Sequence, residues 1–386
     1  MKIAFIGQRG LEGAPQSIDS NVTELASQMV REGNVVISYL RKWYFNQPEK
    51  RFNGIILKEI SSIPVRYLDG VSYAFLATLH TIFVTKPNVV HYYGAGPSLF
   101  AWMIRLLQPG TIVVCTLSTV EQNKKGWGAM ARFVMRLGEK ASIEYAHATI
   151  ATSKIVSNYA AIEYGTRAQY IPNGLSVKRV PVDGVILASF NLQSFSYILV
   201  PTDLAENDGL EIMLEAWARV RNEKPQLFAE IKLAFLGGPM QPDGRLISLR
   251  EKYASDNSVV FTGFQRGEVT DALFAGARVV VDPSENPEKA EEVLLAMSYG
   301  KAVLTSDTNA HKSAVSEYGE LFAVGETLDL AGKIVQLFED QMQTAAIGHS
   351  ARTYVENERN WEEIAGKILE IYSEYLALRD GVLAIR

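Results

Sequence analysis

The chain has 386 residues, 47% of them hydrophobic, and a formal net charge of −5 at pH 7. That length points to two domains or three, each with apolar content enough for its own core, and the mildly acidic balance excludes a dedicated nucleic-acid binder, which needs a concentrated basic surface. One cysteine, Cys115, and five scattered histidines leave no internal disulfide and no His-x-x-His or Cys-x-x-Cys metal pair.

The opening "MKIAFIGQRG" reads as a strand running into a glycine turn; its apolar run is too short for a signal peptide. Short β-branched runs then alternate with helical patterns. "KIAFIG", "NVVISYL", "NVVHYY", "TIVVCTL" and "ATIATS" read as buried strands. Cys115 lies in the fourth of these and is expected to be a small buried hydrophobe. In "DSNVTELASQMVREG", Val22, Leu25, Ala26 and Met29 share one helical face, and Gly33 stops the helix. "VSYAFLATLHTIFV" is the most apolar stretch. It is expected to be a buried helix, since no run reaches the length and purity of a membrane span.

A second series follows "YIPNGLSVKRVPVDG". Its strands are "YILVPT", "IKLAFLG", "SVVFTG", "ARVVVDP" and "KAVLTSD", with helices such as "EIMLEAWARVRN" and "EVLLAMSYG" between them. Two βαβ series predict an α/β chain of two Rossmann-like, doubly wound parallel-sheet domains, with ligands at the carboxyl ends of the strands in a cleft between them. The expected bounds are 1–174, a linker over 175–196, 197–360, and a final helix over 361–386. That helix carries an apolar stripe of Trp361, Ile364, Ile368, Ile371 and Tyr372 and is expected to pack back across the domain boundary.

The first turn, "GQRGLEG", does not have the G-x-G-x-x-G spacing, and "YLRKWY" ends the second strand without an acid for a ribose. NAD binding is therefore not expected.

The residues "IAFIGQRG", "GWGAMARFVMRLGEKAS", "ATSKIVSNYAAIEYG", "YIPNG", "FTGF", the Pro-Ser of "VVVDPS" and "AMSYGKAVLTSD" resemble, along nearly the whole chain, a two-domain GT-B glycosyltransferase of the large retaining family 4. The similarity is to the bacterial subgroup that builds surface polysaccharides. It implies a nucleoside diphosphate sugar as donor substrate, no metal and no other cofactor, and a glycan or lipid-linked saccharide as acceptor, in the cytoplasm or at the inner face of the membrane. It implies a first domain on the acceptor side and a second on the nucleotide-sugar side.

The same resemblance locates the family's functional positions, and most carry other residues here. The Gly-Gly pair of the first turn falls on Gln16 and Ser17, whose side chains take space that only hydrogens fit. The acid after it is kept as Asp19. The family His near the reacting sugar is Ser118, and the following acid is kept as Glu121. The Arg and Lys that hold the donor diphosphate are Asp203 and Asp208, within "TDLAENDG". Losing one such donor costs a few kcal/mol of transition-state stabilisation, and reversing both charges costs more. The two Glu positions of "PSENPEKAEEVLLAMSYG" are Pro287 and Leu295, and leucine cannot accept from ribose hydroxyls. A local shift would bring Glu285 or Glu288 to the first role and Glu292 to the second. Thr202, Asn207, Gly209, Gly237, Gly238, Gly263, Phe264 and Ser284 are expected to line the cleft. Lys289, Arg266 and Lys301 are candidate substitute cations.

Two readings follow. In the first, catalysis has decayed and the chain serves as a partner of an active glycosyltransferase or as a glycan-binding subunit. In the second, a rearranged donor site still transfers a sugar with retention. Residues 124–142 mix Lys124, Lys125, Arg132, Arg136 and Lys140 with Trp127, Met130 and Phe133. Such a helix either lies peripherally on an anionic membrane or packs in its domain with a solvated basic face.

Overall fold

The computed structural model describes residues 1–11, 18–44, 50–65, 68–118, 128–166, 168–202, 209–238, 244–286 and 289–384. The chain divides into two compact units, Met1–Gly174 with Arg359–Arg386, and Leu175–Glu358.

In the first unit the order is β1 (Lys2–Ile6), α1 (Ile18–Arg31), β2 (Val35–Arg41), β3 (Arg51–Phe52), β4 (Ile55–Ile60) and α2 (Leu68–His80). There follow β5 (Val89–Tyr93), α3 (Ala95–Ser98), α4 (Ala101–Leu107), β6 (Ile112–Leu117), α5 (Ala129–Glu144), β7 (Ala148–Ala151), α6 (Lys154–Tyr164) and β8 (Gln169–Tyr170). The sheet order is β3-β4-β2-β1-β5-β6-β7-β8, parallel except where β3 meets β4. Register sets Ile3 beside Val36 on one side and Val89 on the other. The central strands β1, β5 and β6 are buried almost throughout, as a parallel sheet covered on both faces requires. Local signals place the helices. The Ser153 hydroxyl accepts the Val156 N–H at 3.2 Å to start α6, and Gly165 ends it in the left-handed region. Gly7 is where the first turn needs a glycine: a Cβ there would stand 2.2 Å from the Tyr93 carbonyl oxygen, so β1 and β5 could not part as closely as they do.

The run expected to be a buried helix is α2, prolonged by a π-helical turn at Thr81–Thr85. Its burial is one-sided. Tyr73, Ala74, Ala77 and Ile82 join Ala4, Ile6 and Val90 in the core, while Phe83 and Val84 are each 67% exposed. Leu68–Thr85 also has the length and composition of a membrane span, with mean hydropathy 1.2 over 18 residues. The sequence reading missed this because Ser, Thr and His interrupt the run, yet the inner face is built into the core beneath the sheet. Cys115 is buried, and burial pushes its thiol up to about 12, in keeping with a packing role.

The final helix, α15 (Trp361–Ala384), belongs to the first unit. Ile364, Ile368, Ile371 and Tyr372 pack with α1 against the other face of the sheet. The Tyr372 hydroxyl meets His91 Nδ1 at 2.5 Å, and His91 Nε2 meets the Thr116 hydroxyl at 2.6 Å, so one polar chain ties α15 to β5 and β6. Burial holds His91 down at about 3 and His147 at about 4.

The second unit contains α7 (Gly184–Ser189), β9 (Tyr197–Thr202), α8 (Leu210–Glu223), β10 (Lys232–Gly237), α9 (Gly244–Lys252), β11 (Val259–Gly263), α10 (Glu268–Gly276) and β12 (Val279–Asp282). It continues with α11 (Ala290–Ser298), β13 (Ala302–Ser306), α12 (Asn309–Val315), β14 (Glu320–Phe322), α13 (Thr327–Glu339) and α14 (Gln341–Glu358). All pairings are parallel, in the order β11-β10-β9-β12-β13-β14. One face is covered by α8 and α13, the other by α10, α11 and α14. Residues 175–196, expected as a linker, are folded instead. Asp183 caps α7 through the N–H groups of Val185 and Ile186, and Leu175, Leu187 and Leu192 are buried in the unit's core. Apolar residues spaced to pack on β9 make this segment part of the unit.

Two outcomes test this packing. Tyr372→Phe leaves His91 Nδ1 without its partner and should cost about 1–3 kcal/mol in denaturant unfolding. Well above pH 6.5 neither His91 nor His147 binds a proton in the folded or the unfolded chain. Below it, His91 and His147 bind one in the unfolded chain but not in the folded chain. The melting temperature should therefore fall as pH drops from 6.5 to 5, and His91→Gln should flatten part of that slope.

Candidate functional site

The strand order of the second unit reverses at β9, which has β10 on one side and β12 on the other. In a doubly wound sheet this is where the loops diverge and leave a crevice at the carboxyl ends of the strands. Thr202, Gly237, Gly263, Asp282 and Ser306 are the last residues of β9 to β13, so this edge gathers most of the expected second-domain residues. Gly209, in the left-handed region, starts α8 here. A Cβ on it would lie 2.3 Å from the Pro283 carbonyl oxygen, so Gly209 and the loop after β12 touch, and only glycine fits.

The loop after β12 is pinned by a buried polar network that the sequence reading missed. Asp282 Oδ1 accepts the Ser284 N–H at 3.0 Å, and the Ser284 hydroxyl accepts the Asn286 N–H at 3.0 Å. His311, fully buried, stands with Nε2 3.2 Å from Asp282 Oδ2 and Nδ1 2.6 Å from the Thr308 hydroxyl. A carboxylate only accepts, so Nε2 donates to Asp282. Thr308 in turn caps α12 by accepting the His311 N–H at 3.2 Å, and the Ser306 hydroxyl donates to the Ser284 carbonyl. The available signal was an acid closing the apolar run "VVVDPS". His311, one of five scattered histidines, carries no motif of its own in the sequence.

The expected residues fall unevenly on this frame. Ser284 is buried in the network, and Glu285 beside it is exposed. Gly238 and Phe264 follow β10 and β11, and Arg266 stacks its guanidinium 4.8 Å from the Phe264 ring centre. Lys289 is buried at the start of α11 with its ammonium 3.4 Å from Glu292, so it is already engaged. Leu295, one turn further, is half-buried and packs against the apolar core. Lys301 is not on this edge. It precedes β13, at the strand's amino end, where it donates to the Ala275 carbonyl at 2.6 Å and lies over Phe195. Burial lowers its ammonium to about 8.

Asp19 and Ser118 belong to the first unit. The Asp19 carboxylate accepts the backbone N–H groups of Arg9 and Gly10, so it holds its own strand-to-helix turn. Ser118 follows β6, with its carbonyl accepting from the Thr152 hydroxyl at 3.4 Å. Gln16, Ser17, Glu121, Asp203, Asn207, Asp208, Pro287 and Glu288 lie outside the described residues.

Comparison with known proteins agrees along both units. Residues 20–179 match Glycosyltransferase Family 4, and residues 196–340 match Glycosyl transferases group 1. The sulfoquinovosyl transferase of Arabidopsis thaliana is 30% identical over 166 residues, 42% of this chain and 30% of that one. A D-inositol 3-phosphate glycosyltransferase of Salinispora arenicola is 26% identical over 173 residues, 43% of this chain and 38% of that one. The chain thus aligns with about a third of the length of these relatives. Among solved structures, a sucrose-phosphate synthase of Thermosynechococcus elongatus has a TM-score of 0.77 at 20% identity, over 98% of this chain and 99% of that one. Anabaena HepE in complex with UDP scores 0.73 at 18% identity, over 97% and 100%. WaaG, a glycosyltransferase involved in lipopolysaccharide biosynthesis, scores 0.68 at 16%, over 96% and 99%. The fold is α/β, two Rossmann-like parallel-sheet units with GT-B neighbours; the first unit is similar to Glycosyltransferase Family 4 and the second to Glycosyl transferases group 1.

Gly209→Ala should cost about 1–3 kcal/mol in denaturant unfolding, because it adds left-handed strain to a carbonyl clash and forces the two segments apart.

Proposed function

We propose that this chain is a catalytically degenerate relative of bacterial surface polysaccharide or glycoconjugate glycosyltransferases, acting as partner to an active transferase or as a glycan-binding subunit. The observation that carries the reading is Leu295. At the position where the family places a ribose-binding carboxylate, this chain has an apolar side chain packed on the second unit's core. Leucine there can neither accept from a hydroxyl nor turn outward without exposing its methyl groups. Sequence adds the carboxyl groups of Asp203 and Asp208 where the family places Arg and Lys. Of the three substitute cations, Lys301 is at the far end of its strand, Lys289 is committed to Glu292, and Arg266 stacks on the Phe264 ring. The reading places the chain in the cytoplasm, at the inner face of the membrane where lipid-linked acceptors lie.

One observation favours an active alternative, in which a nucleoside diphosphate sugar is still used as donor through a rearranged site. Glu292 stands half-exposed one turn before Leu295, beside Lys289, so a carboxylate and a cation remain at the start of α11. There a nucleotide sugar would be held with Gly209 and Ser284 nearby, and its sugar would pass with retention to a glycan or lipid-linked acceptor.

Thermal shift separates the two. The native chain should show no rise in melting temperature with UDP or GDP at about 1 mM, whereas Asp203→Arg with Asp208→Lys, which restores a cationic grip, should rise by a few degrees with UDP. Stabilisation of the native chain by either nucleotide would overturn the degenerate reading.

A further inference from the structure

Across the sheet of the first unit, the two helical layers present opposite surfaces. On one face, α1 turns charged residues outward, with Glu24 and Arg31 exposed. On the other, the outward positions of α2 and its π-helical turn are apolar: Phe75 (40% exposed), Leu76, Phe83 and Val84. Next to them α4 exposes Trp102 and Leu106, the latter 70% exposed. The Phe75 and Phe100 rings meet at 5.6 Å, so α2 and the start of α4 form one surface.

The α5 helix continues it. The buried positions of α5 are Gly138, Glu139, Ala141 and Ser142, which are small or polar. Its exposed positions are Met130 (75%), Phe133 (57%) and Leu137, interleaved with Arg132, Arg136 and Lys140. This reverses the pattern of a surface helix, whose apolar stripe faces the core. In this segment the large apolar side chains are on the solvent side with the cations. Residues 124–127 lie outside the described residues.

We propose that the face formed by α2, α4 and α5 docks on an anionic lipid bilayer. Charge complementarity selects this occupant. Among the described residues of these elements and their ends, Lys86, Arg105, Arg132 and Arg136 are exposed cations, and Lys140 is a fifth whose charge Glu144 offsets. The acids are compensated or hidden: Asp69 pairs with Arg41, Glu139 is buried under the hydroxyls of Tyr159 and Tyr164, and Glu144 pairs with Lys140. A chain of net charge −5 thus carries a locally cationic, apolar face. Aromatic and aliphatic side chains enter the headgroup layer while neighbouring Arg and Lys contact acidic headgroups. The face lies wholly in the first unit and does not depend on whether the second unit binds a nucleotide.

The test is co-sedimentation of the full chain with vesicles of phosphatidylcholine alone and of a roughly two-to-one mixture with phosphatidylglycerol. Binding to the mixed vesicles should exceed binding to the neutral ones by about tenfold or more and should weaken with added salt. Phe83→Ser with Val84→Ser should reduce binding to both vesicle types, and Arg132→Glu should reduce only the phosphatidylglycerol-dependent part. Met342→Ser, at an 85% exposed position of α14 in the second unit, should change neither. Melting temperatures of all variants should match the native chain, since the altered side chains are on the surface. No sedimentation with the mixed vesicles, or sedimentation indifferent to the Phe83, Val84 and Arg132 changes, overturns the proposal. So does a dimer in light scattering that Phe83→Ser dissolves, which would assign the face to a second copy of the chain.

Discussion

Parallel pairing governs what each unit of this chain can do. A strand that must be followed by a parallel neighbour needs a crossover, and the crossovers put helices on both faces. The strands are then buried on both sides, which is why "VVHYY" and "IVVCTL" are nearly continuous apolar runs. With both faces covered, the loops at the strand ends are what is left for binding. The order reverses at β9, and there Gly209 meets the Pro283 carbonyl at the carboxyl edge of the sheet.

The polar network beneath that edge separates framework from chemistry. Asp282, His311, Thr308 and Ser306 satisfy one another and the backbone of the loop after β12. Their hydrogen-bonding capacity is turned inward, which holds the loop's shape without requiring a ligand. Asp19 does the same in the first unit by accepting from Arg9 and Gly10. Residues that hold loops are in place on both units; on the proposed reading, the positions that would face a donor carry Leu295, Pro287 and the acids of "TDLAENDG".

Much of the fold was legible because it is written in period and punctuation. Apolar runs of strand length, Gly33 after α1 and Ser153 before α6 locate their elements directly. Segments whose burial depends on distant partners were not legible. Residues 175–196 look like a linker until Leu187 is seen in the second unit's core. The outward side of α2 could not be inferred, because Phe83 and Ile82 are equally apolar and only packing tells which is buried. Of the candidate site, the sequence pattern places Thr202, Gly237 and Gly263 at strand ends, where the structure has them. The Asp282–His311 pairing was not legible, because its partners are 29 residues apart and meet only through adjacent strands.

The central claim is that a glycosyltransferase-like frame has been kept while the means of activating a donor has been lost. Its most direct test is turnover: incubate the native chain with a panel of UDP- and GDP-sugars, with and without saccharide and lipid-linked acceptors, and measure free nucleoside diphosphate. The account predicts release no faster than the uncatalysed background in every mixture. Release that scales with protein concentration and stops when Ser284 and Glu292 are altered would contradict it.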